Sequence, residues 1–411
     1  MLRYTRKKFN DLYRAPKAGY FLASMLIFGI SVGLYSGILN NYLHEILHIT
    51  RAERGYIEFP RELPGLLLFA IIALLYRFTE TRIMQLAFII SILGLTGLGL
   101  TGDTRLVAII LIVMWSTGEH LMMPVRSSLA MHLAAPGKEG LALGGVGSMG
   151  NTGMLIGHYL VPFLFLFLPV LFGKRSAFFN YRVTLLVAAG FLIAGFWTVS
   201  RLHLPGRQVK REKFFFRKKH GRYYILEVFF GARKQVFMTF APYVLILKYG
   251  ARTELIASLY GIWSVSNIFI APALGRLIDR IGYKKIIVTD TILLIIICIL
   301  YGTSHLFLPK SIAFPVICCV FVADAILFVV GMARAMYVKS LSGSQEEITS
   351  TLSTGLSVNH LVSIVIAILG GLLWKKLGME MLFGIAGLFG LGSFLFSLTL
   401  PGRQKTGAHS A

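Results

Sequence analysis

The chain has 411 residues, of which 56% are hydrophobic and 14% are charged, and its mean hydropathy is +0.72. Soluble domains carry about 25% charged residues, so the composition excludes a water-soluble enzyme and a disordered chain. The formal net charge of +23 is spread between apolar runs and does not form one folded polar face, which argues against nucleic-acid binding. The class that remains is a polytopic membrane protein.

The chain opens with a basic segment, MLRYTRKKFNDLYRAPK, which is followed by an apolar run to about Tyr42. A cleaved signal peptide would have a shorter apolar core and a small-residue cleavage site. We therefore interpret this run as a retained first transmembrane helix.

Apolar runs of about 20 residues, the length that crosses a bilayer as a helix, recur along the whole chain. The twelve runs lie at about 19–42, 53–77, 83–102, 105–130, 140–166, 183–202, 222–247, 252–275, 285–307, 312–338, 351–374 and 379–400. Continuous apolar runs favour helices over barrel strands, because strands would alternate in polarity. The sequence predicts an all-α membrane protein with twelve transmembrane helices, of which the second and seventh carry notable charge.

Lys and Arg concentrate in the segments on one side of the predicted spans. The positive-inside rule therefore places both termini in the cytoplasm, and we expect an integral protein of the plasma membrane, the inner membrane of a bacterium. The longest polar insertion, Arg201 to Arg222, separates six spans from six. We interpret it as a basic linker lying on anionic lipid, with a docking site for another protein as the alternative. The predicted organisation is a basic tail (1–18), a six-helix bundle (19–202), a basic linker (203–221), a second six-helix bundle (222–400) and a cytoplasmic tail (401–411).

The two halves share an internal repeat. One common offset places Arg126 on Arg334 and Gly147 on Gly355, and it also places Asn151 on Asn359. Parallel six-helix halves with a solute site between them are one of the recognised transporter plans.

A motif between the eighth and ninth spans resembles a family signature. Residues 271–285, APALGRLIDRIGYKK, are similar to the G-x-x-x-D-R-x-G-x-K-K signature of the major facilitator superfamily. The matching residues are Gly275, Asp279, Arg280, Gly282, Lys284 and Lys285. The first-half copy, ALLYRFTETR, is degraded, with Tyr76 in place of the glycine and Glu80 in place of the aspartate. The resemblance implies the superfamily's fold and a gating role for this motif and for Glu80, without direct solute contact.

Several ionisable residues fall inside predicted spans, where lipid exposure would cost a few kcal/mol or more each. Such residues usually face the bundle interior, a partner or water. They are Glu58, Arg61, Glu62, Glu119, Arg126, Glu227, Arg233, Lys234, Asp324 and Arg334.

The acids of this set are candidates for proton coupling, namely Glu119, Asp324, Glu58, Glu62 and Glu227. Burial disfavours the charged form of a carboxyl group and so prepares it to load and release a proton. Glu58, Arg61 and Glu62 share a helical face, and there a structural ion pair is the alternative to a functional site. For Asp324, a salt bridge with Arg233 or Lys234 is the alternative.

Cations and hydrogen-bonding side chains of the spans are candidates for lining a solute cavity. They are Arg61, Arg126, Asn151, His158, Arg233, Lys234, Asn359 and His360. Arg233 and Lys234 differ by about 100° around a helix, so at most one can point squarely into a cavity; neutralising Glu227, Glu119 or Asp324 is their alternative role. The histidines and asparagines have helix packing as theirs. In the fifth span Gly144, Gly153 and Gly157 resemble an exporter signature, which favours export only mildly.

The resulting hypothesis is a transporter of the major facilitator type that is proton-coupled and moves a small polar, zwitterionic or anionic organic solute by alternating access. A multidrug or metabolite efflux antiporter is the alternative within the class, and a transport-inactive membrane sensor or scaffold is the alternative outside it. We expect the partners to be the solute, protons and membrane lipid, with no nucleic acid, and the protein to be a monomer. No cofactor, metal or enzymatic activity is expected, because no nucleophile, metal-ligand set or phosphate loop occurs in the required context.

Overall fold

A computed structural model of the chain describes residues 18–75, 78–133, 135, 139–173, 175–202, 216–343 and 345–401. Residues 1–17 of the predicted N-terminal tail, most of the basic linker and residues 402–411 of the predicted C-terminal tail lie outside these residues. The regular structure of the described part is helical, as the continuous apolar runs predict.

Thirteen α-helices are named here in chain order. They are α1 Ala18–Glu45, α2 Arg51–Leu66, α3 Leu68–Leu74, α4 Glu80–Thr101, α5 Arg105–Leu133, α6 Glu139–Phe172, α7 Ala177–Ser200, α8 Gly221–Tyr249, α9 Thr253–Ile281, α10 Tyr283–Phe307, α11 Lys310–Leu327, α12 Gly331–Leu341 and α13 Gln345–Leu398. A short 3₁₀ helix at Lys218–His220 precedes α8, and another at Phe328–Val330 joins α11 to α12.

Nine helical stretches of the described chain are long and apolar enough to cross a membrane. Two features explain why nine stretches are found where twelve spans were predicted. The charged α2 and α8 are not among the nine, and the last stretch, Thr354–Leu398, contains both the eleventh and the twelfth predicted span. The second span also differs from the prediction in being divided into α2 and α3.

The eleventh and twelfth spans meet inside α13 at Gly378, where φ is 87° and ψ is 174°. This φ lies in the region that glycine adopts without steric cost. A single residue therefore separates two spans that the sequence predicted as 351–374 and 379–400.

The helices form two compact units. The first unit contains the described residues of 1–50, 60–213 and 251–265, and the second contains those of 51–59, 214–250 and 266–411. Accordingly, the beginning of α2 packs within the second unit and the beginning of α9 within the first.

In the first unit, α1 packs against α6 and α7, and α4 packs against α5 and α7. The contact between α1 and α6 brings backbone onto backbone. A Cβ atom at Gly153 would overlap the carbonyl oxygen of Leu26, and one at Gly157 would overlap that of Ile30. Helix packing thus accounts for these two glycines of the fifth span without reference to transport direction.

In the second unit, α8 and α10 each pack against α13, and α10 also packs against α11. Aromatic rings fill this interior. The Phe383 ring lies 4.7 Å from that of Tyr301 and 5.1 Å from that of Phe237, measured between centroids. The Tyr301 hydroxyl donates to the Ala241 carbonyl at 2.7 Å, which satisfies its polar atom in this apolar setting.

Candidate functional site

The second unit holds two buried ion pairs between transmembrane helices. Nη2 of Arg233, on α8, lies 2.9 Å from Oδ1 of Asp324 on α11. Nε of Arg334, on α12, lies 2.9 Å from Oε1 of Glu227 on α8. All four side chains are buried, and each charge has a partner of opposite charge, as buried ions require.

The break in the tenth span positions two of these charges. Asp324 and Arg334 lie on either side of the 3₁₀ turn Phe328–Val330, and such a turn within a helix often marks a functional hinge. The Arg334 guanidinium carbon lies 3.6 Å from the centroid of the Phe230 ring, and that of Arg233 lies 5.2 Å from the centroid of Phe328. Cation–π contacts therefore support both arginines in addition to their carboxylates.

Lys234 takes a different direction from its neighbour Arg233. Its Nζ donates to Oδ1 of Asn359 on α13 at 2.7 Å, and Nδ2 of Asn359 donates to Oε2 of Glu227 at 3.4 Å. Arg233 is 2% exposed whereas Lys234 is half-buried. The two cations thus occupy different surroundings, as their separation around the helix requires.

Asp290, on α10, is an acid of this region that the sequence analysis did not select. It is 7% exposed and lines a small cavity together with Arg233 and Arg334. The signal was present in the sequence as one aspartate within an apolar run.

The predicted charged face of the second span divides into two pairs. Glu58 accepts from Arg54 within α2 and from Nε2 of Gln235 on α8, the latter at 3.2 Å. Nη2 of Arg61 lies 2.6 Å from Oε1 of Glu62. Arg54 is a further buried cation that the sequence analysis left out, because it lies at the predicted edge of the span.

In the first unit, α5 presents both buried and accessible polar groups. Nδ1 of the buried His120 lies 3.1 Å from the Ser116 hydroxyl. A ring nitrogen of His120 also lies within 4.8 Å of a carboxylate oxygen of Glu62. Glu119 is half-buried and Arg126 is exposed, and the two interact electrostatically.

His158, on α6, is completely buried between hydroxyl groups. Its Nε2 lies 2.9 Å from the Ser36 hydroxyl and its Nδ1 lies 3.2 Å from the Ser264 hydroxyl. The Tyr260 ring stacks on the imidazole at 5.5 Å.

The two asparagines related by the internal repeat differ in exposure, since Asn151 is exposed on the first unit and Asn359 is buried in the second. His360, next to Asn359, is also buried.

The motif after the eighth span forms a turn between α9 and α10. Gly282 is the N-cap residue before α10 and has a φ of 84°, a conformation that favours glycine. Nζ of Lys284 donates to the Leu398 carbonyl at the end of α13 at 2.8 Å. Arg280 and Lys285 are exposed, and Gly275 and Asp279 belong to the last turns of α9. Glu80, of the first-half copy, is the first residue of α4, where the helix dipole favours an acid.

A cluster around Glu347 ties the end of the linker to the start of α13. Oε1 of Glu347 lies 2.5 Å from Nζ of Lys219, 3.0 Å from Nε2 of His220 and 3.3 Å from Nη1 of Arg217. The Gly343 backbone N–H donates to Oε2 at 3.0 Å. These donors, Lys219 first, lower the pKa of Glu347 from its ordinary 4.5 to about 2.

Comparison with known proteins identifies similar sequences and folds. The family profile described as Major Facilitator Superfamily matches residues 20–344. No curated protein matches the chain.

Three solved structures show the likeness of fold. The nucleoside transporter NupG, as its D323A mutant, has a TM-score of 0.73 at 14% identity, over 94% of this chain and 100% of that one. A POT family transporter in complex with 5-aminolevulinic acid gives 0.72 at 14%, over 92% and 94%. A D-xylose–proton symporter gives 0.71 at 13%, over 93% and 97%.

Proposed function

Because the chain belongs to the major facilitator superfamily, we propose that it is a proton-coupled secondary transporter of a small polar, zwitterionic or anionic organic solute, working by alternating access. Structural neighbours include proteins named as a nucleoside transporter and a D-xylose–proton symporter. Their low identity carries the fold alone, so the solute class and the coupling are argued from the residues of this chain.

The observation that carries the proposal is the accessible charged face of α5. Glu119 is half-buried and Arg126, two turns further along, is exposed, although both belong to a helix that is apolar enough to span a membrane. A charge inside a membrane-spanning helix is costly when it faces lipid, most of all near the helix centre; Glu119 lies two turns inside the spanning stretch, and Arg126 is its last residue. We therefore assign this face to a hydrated path, where a guanidinium can hold a carboxylate or a phosphate in its fork.

The proposed roles follow the surroundings of the side chains. Solute contact or cavity lining is assigned to Arg61, Arg126, Asn151, His158, Arg233, Lys234, Asn359 and His360. Proton coupling is assigned to Glu119, Asp324, Glu58, Glu62 and Glu227, each an acid that a cation or an amide can hold in its charged form. Gating is assigned to Gly275, Asp279, Arg280, Gly282, Lys284, Lys285 and Glu80.

Proton coupling can be tested with purified protein in proteoliposomes that enclose a pH-sensitive dye. An amino acid, a dicarboxylate, a nucleoside and a pentose are added in turn, and the proton movement that each one causes is recorded. We expect at least one of these polar solutes to move protons. We also expect Glu119→Gln to reduce that flux by about tenfold or more, because it removes a group that exchanges protons.

The matched control is Glu254→Gln, which alters a glutamate in the first turn of α9 and should transport like the unmodified protein. Solute uptake without proton movement would reject the coupling. Transport confined to lipophilic cations would reject the solute class and would support the efflux antiporter instead.

A further inference from the structure

A small cavity lies inside the second unit, among α8, α10, α12 and the last part of α13. Its polar lining consists of Arg233, Asp290, Thr291, Arg334 and Ser393. Its volume is about 20 Å³, which exceeds the roughly 10–15 Å³ that one water molecule needs on this scale.

Two of the lining side chains have polar atoms without a hydrogen-bond partner among the described residues. They are Oδ1 of Asp290 and both Nε and Nη1 of Arg233. Asp290 is 7% exposed and Arg233 is 2% exposed. Buried polar groups in proteins almost always have a partner, and one water in this cavity would supply it to both residues.

The charges around the cavity are unequal in number. Arg233 is paired with Asp324, and Arg334 is paired with Glu227. Asp290 interacts electrostatically with both arginines and is the third carboxyl beside two guanidinium groups. Lys234 does not belong to the lining; it is half-buried and donates a hydrogen bond to Asn359. The thiol of Cys298, further along α10, interacts electrostatically with Arg233 and Asp324.

We propose that Asp290 is a proton-binding site of this protein, with one bound water between its carboxyl group and Arg233. With a proton on Asp290, the two arginines match the two remaining carboxylates, and the cavity holds no net charge. A metal cation is a poor occupant, because two guanidinium groups line the same space.

The geometry also gives a route for releasing the proton. Arg233 lines the cavity and uses Nη2 for Asp324, while its Nε and Nη1 have no hydrogen-bond partner among the described residues. If Arg233 turns toward Asp290, the carboxyl group passes its proton through the bound water to Asp324 and becomes the carboxylate that Arg233 holds. Asp324 then loses its cation and becomes the group that takes up a proton. The use of this exchange for coupling rests on the proposed function, whereas proton binding itself does not.

The experiment is infrared difference spectroscopy of the purified full-length protein without any solute, at pH 7. We compare the protonated-carboxyl absorption of the unmodified protein with that of Asp290→Asn and Asp103→Asn. The control, Asp103, is an exposed residue between α4 and α5. We expect Asp290→Asn to lose the absorption of one protonated carboxyl group per molecule and Asp103→Asn to lose none.

Three results would overturn the proposal. The first is an unchanged absorption in Asp290→Asn, and the second is its loss in Asp324→Asn while Asp290→Asn keeps it. The third is its loss when potassium chloride is replaced by sodium chloride, which would show that the site binds sodium. Size-exclusion chromatography checks folding, and if Asp290→Asn does not fold, Asp290→Glu must show the absorption at a shifted frequency. Because no solute is present, the result stands apart from transport. Loss of the absorption in Asp290→Asn together with absent proton flux in proteoliposomes would defeat the proposed function and leave the site intact.

Discussion

At the scale of single residues, the surroundings of a carboxylate decide what it can do. The Glu347 carboxylate contacts the side chains of Lys219, His220 and Arg217 and accepts a hydrogen bond from the Gly343 N–H. These contacts stabilise its charged form and lower its pKa to about 2. It therefore stays ionised throughout the physiological pH range. Its role is to hold the linker end against the start of α13.

Glu347→Gln should lower the thermal unfolding temperature of the detergent-purified protein at pH 6–7. The folded-state pKa lies below the ordinary 4.5, so the stabilisation is fully present above pH 4.5 and is lost as the pH falls toward 2. We expect the difference between the two proteins to be constant from pH 7 to about pH 5.5 and to shrink below about pH 4.5. Glu254→Gln is the control, and a difference that disappears already at pH 6 would contradict the assignment.

The charged residues also show what the sequence can and cannot predict at this scale. The spacing of Arg233 and Lys234 predicts different directions for the two side chains, and the structure has them on Asp324 and Asn359. The identity of the partners depends on where α11 and α13 pack, which no local pattern encodes. Asp290 was missed for the same reason, since only the packed helices bring it beside two arginines.

At the scale of elements, the crossing of α1 and α6 depends on the absence of side chains. Gly153 and Gly157 of α6 bring its backbone onto the carbonyl groups of Leu26 and Ile30. Gly147 of the same helix has open space where its Cβ would lie. One helix thus contains glycines that packing requires and a glycine that it does not.

Gly153→Ala should destabilise the protein by about 1–3 kcal/mol, because the added methyl group must displace backbone. Gly147→Ala is the matched control and should be neutral or stabilising by up to about 1 kcal/mol, since alanine is the better helix former. Thermal unfolding in detergent measures both. Equal effects of the two substitutions would show that the close approach of α1 and α6 is not what Gly153 supplies.

The elements themselves were largely predictable, because an apolar run in lipid has one backbone solution. The division of the second span was not predicted. Pro60 and Pro64 lie within α2, and each removes a backbone donor from the helix. Hydropathy cannot show whether such a helix bends or is interrupted.

At the scale of the whole molecule, the distribution of Lys and Arg between the spans predicts the orientation of the chain in the membrane. Lys and Arg between spans are retained on the cytoplasmic side, which gives each loop an expected side of the membrane. The loop at Asp103 is expected outside and Lys339, near the end of α12, inside. Both side chains are exposed and can therefore be labelled.

The orientation can be tested with cysteines introduced singly into a variant without Cys298, Cys318 and Cys319. We expect a membrane-impermeant maleimide to label Asp103→Cys in intact cells and to label Lys339→Cys only after permeabilisation. Labelling of both positions in intact cells, or labelling of Lys339→Cys without Asp103→Cys, would contradict the cytoplasmic placement of the termini.

The join at Gly378 has a practical consequence. Since one residue with positive φ connects the last two spans, this corner has no loop that could open for a protease, and the exposed Lys375 and Lys376 before it have helical backbone. Inserting a reporter there would force apart helix ends that almost touch. Fusion partners and epitope tags belong at Asp103 and Thr104, which are exposed between α4 and α5.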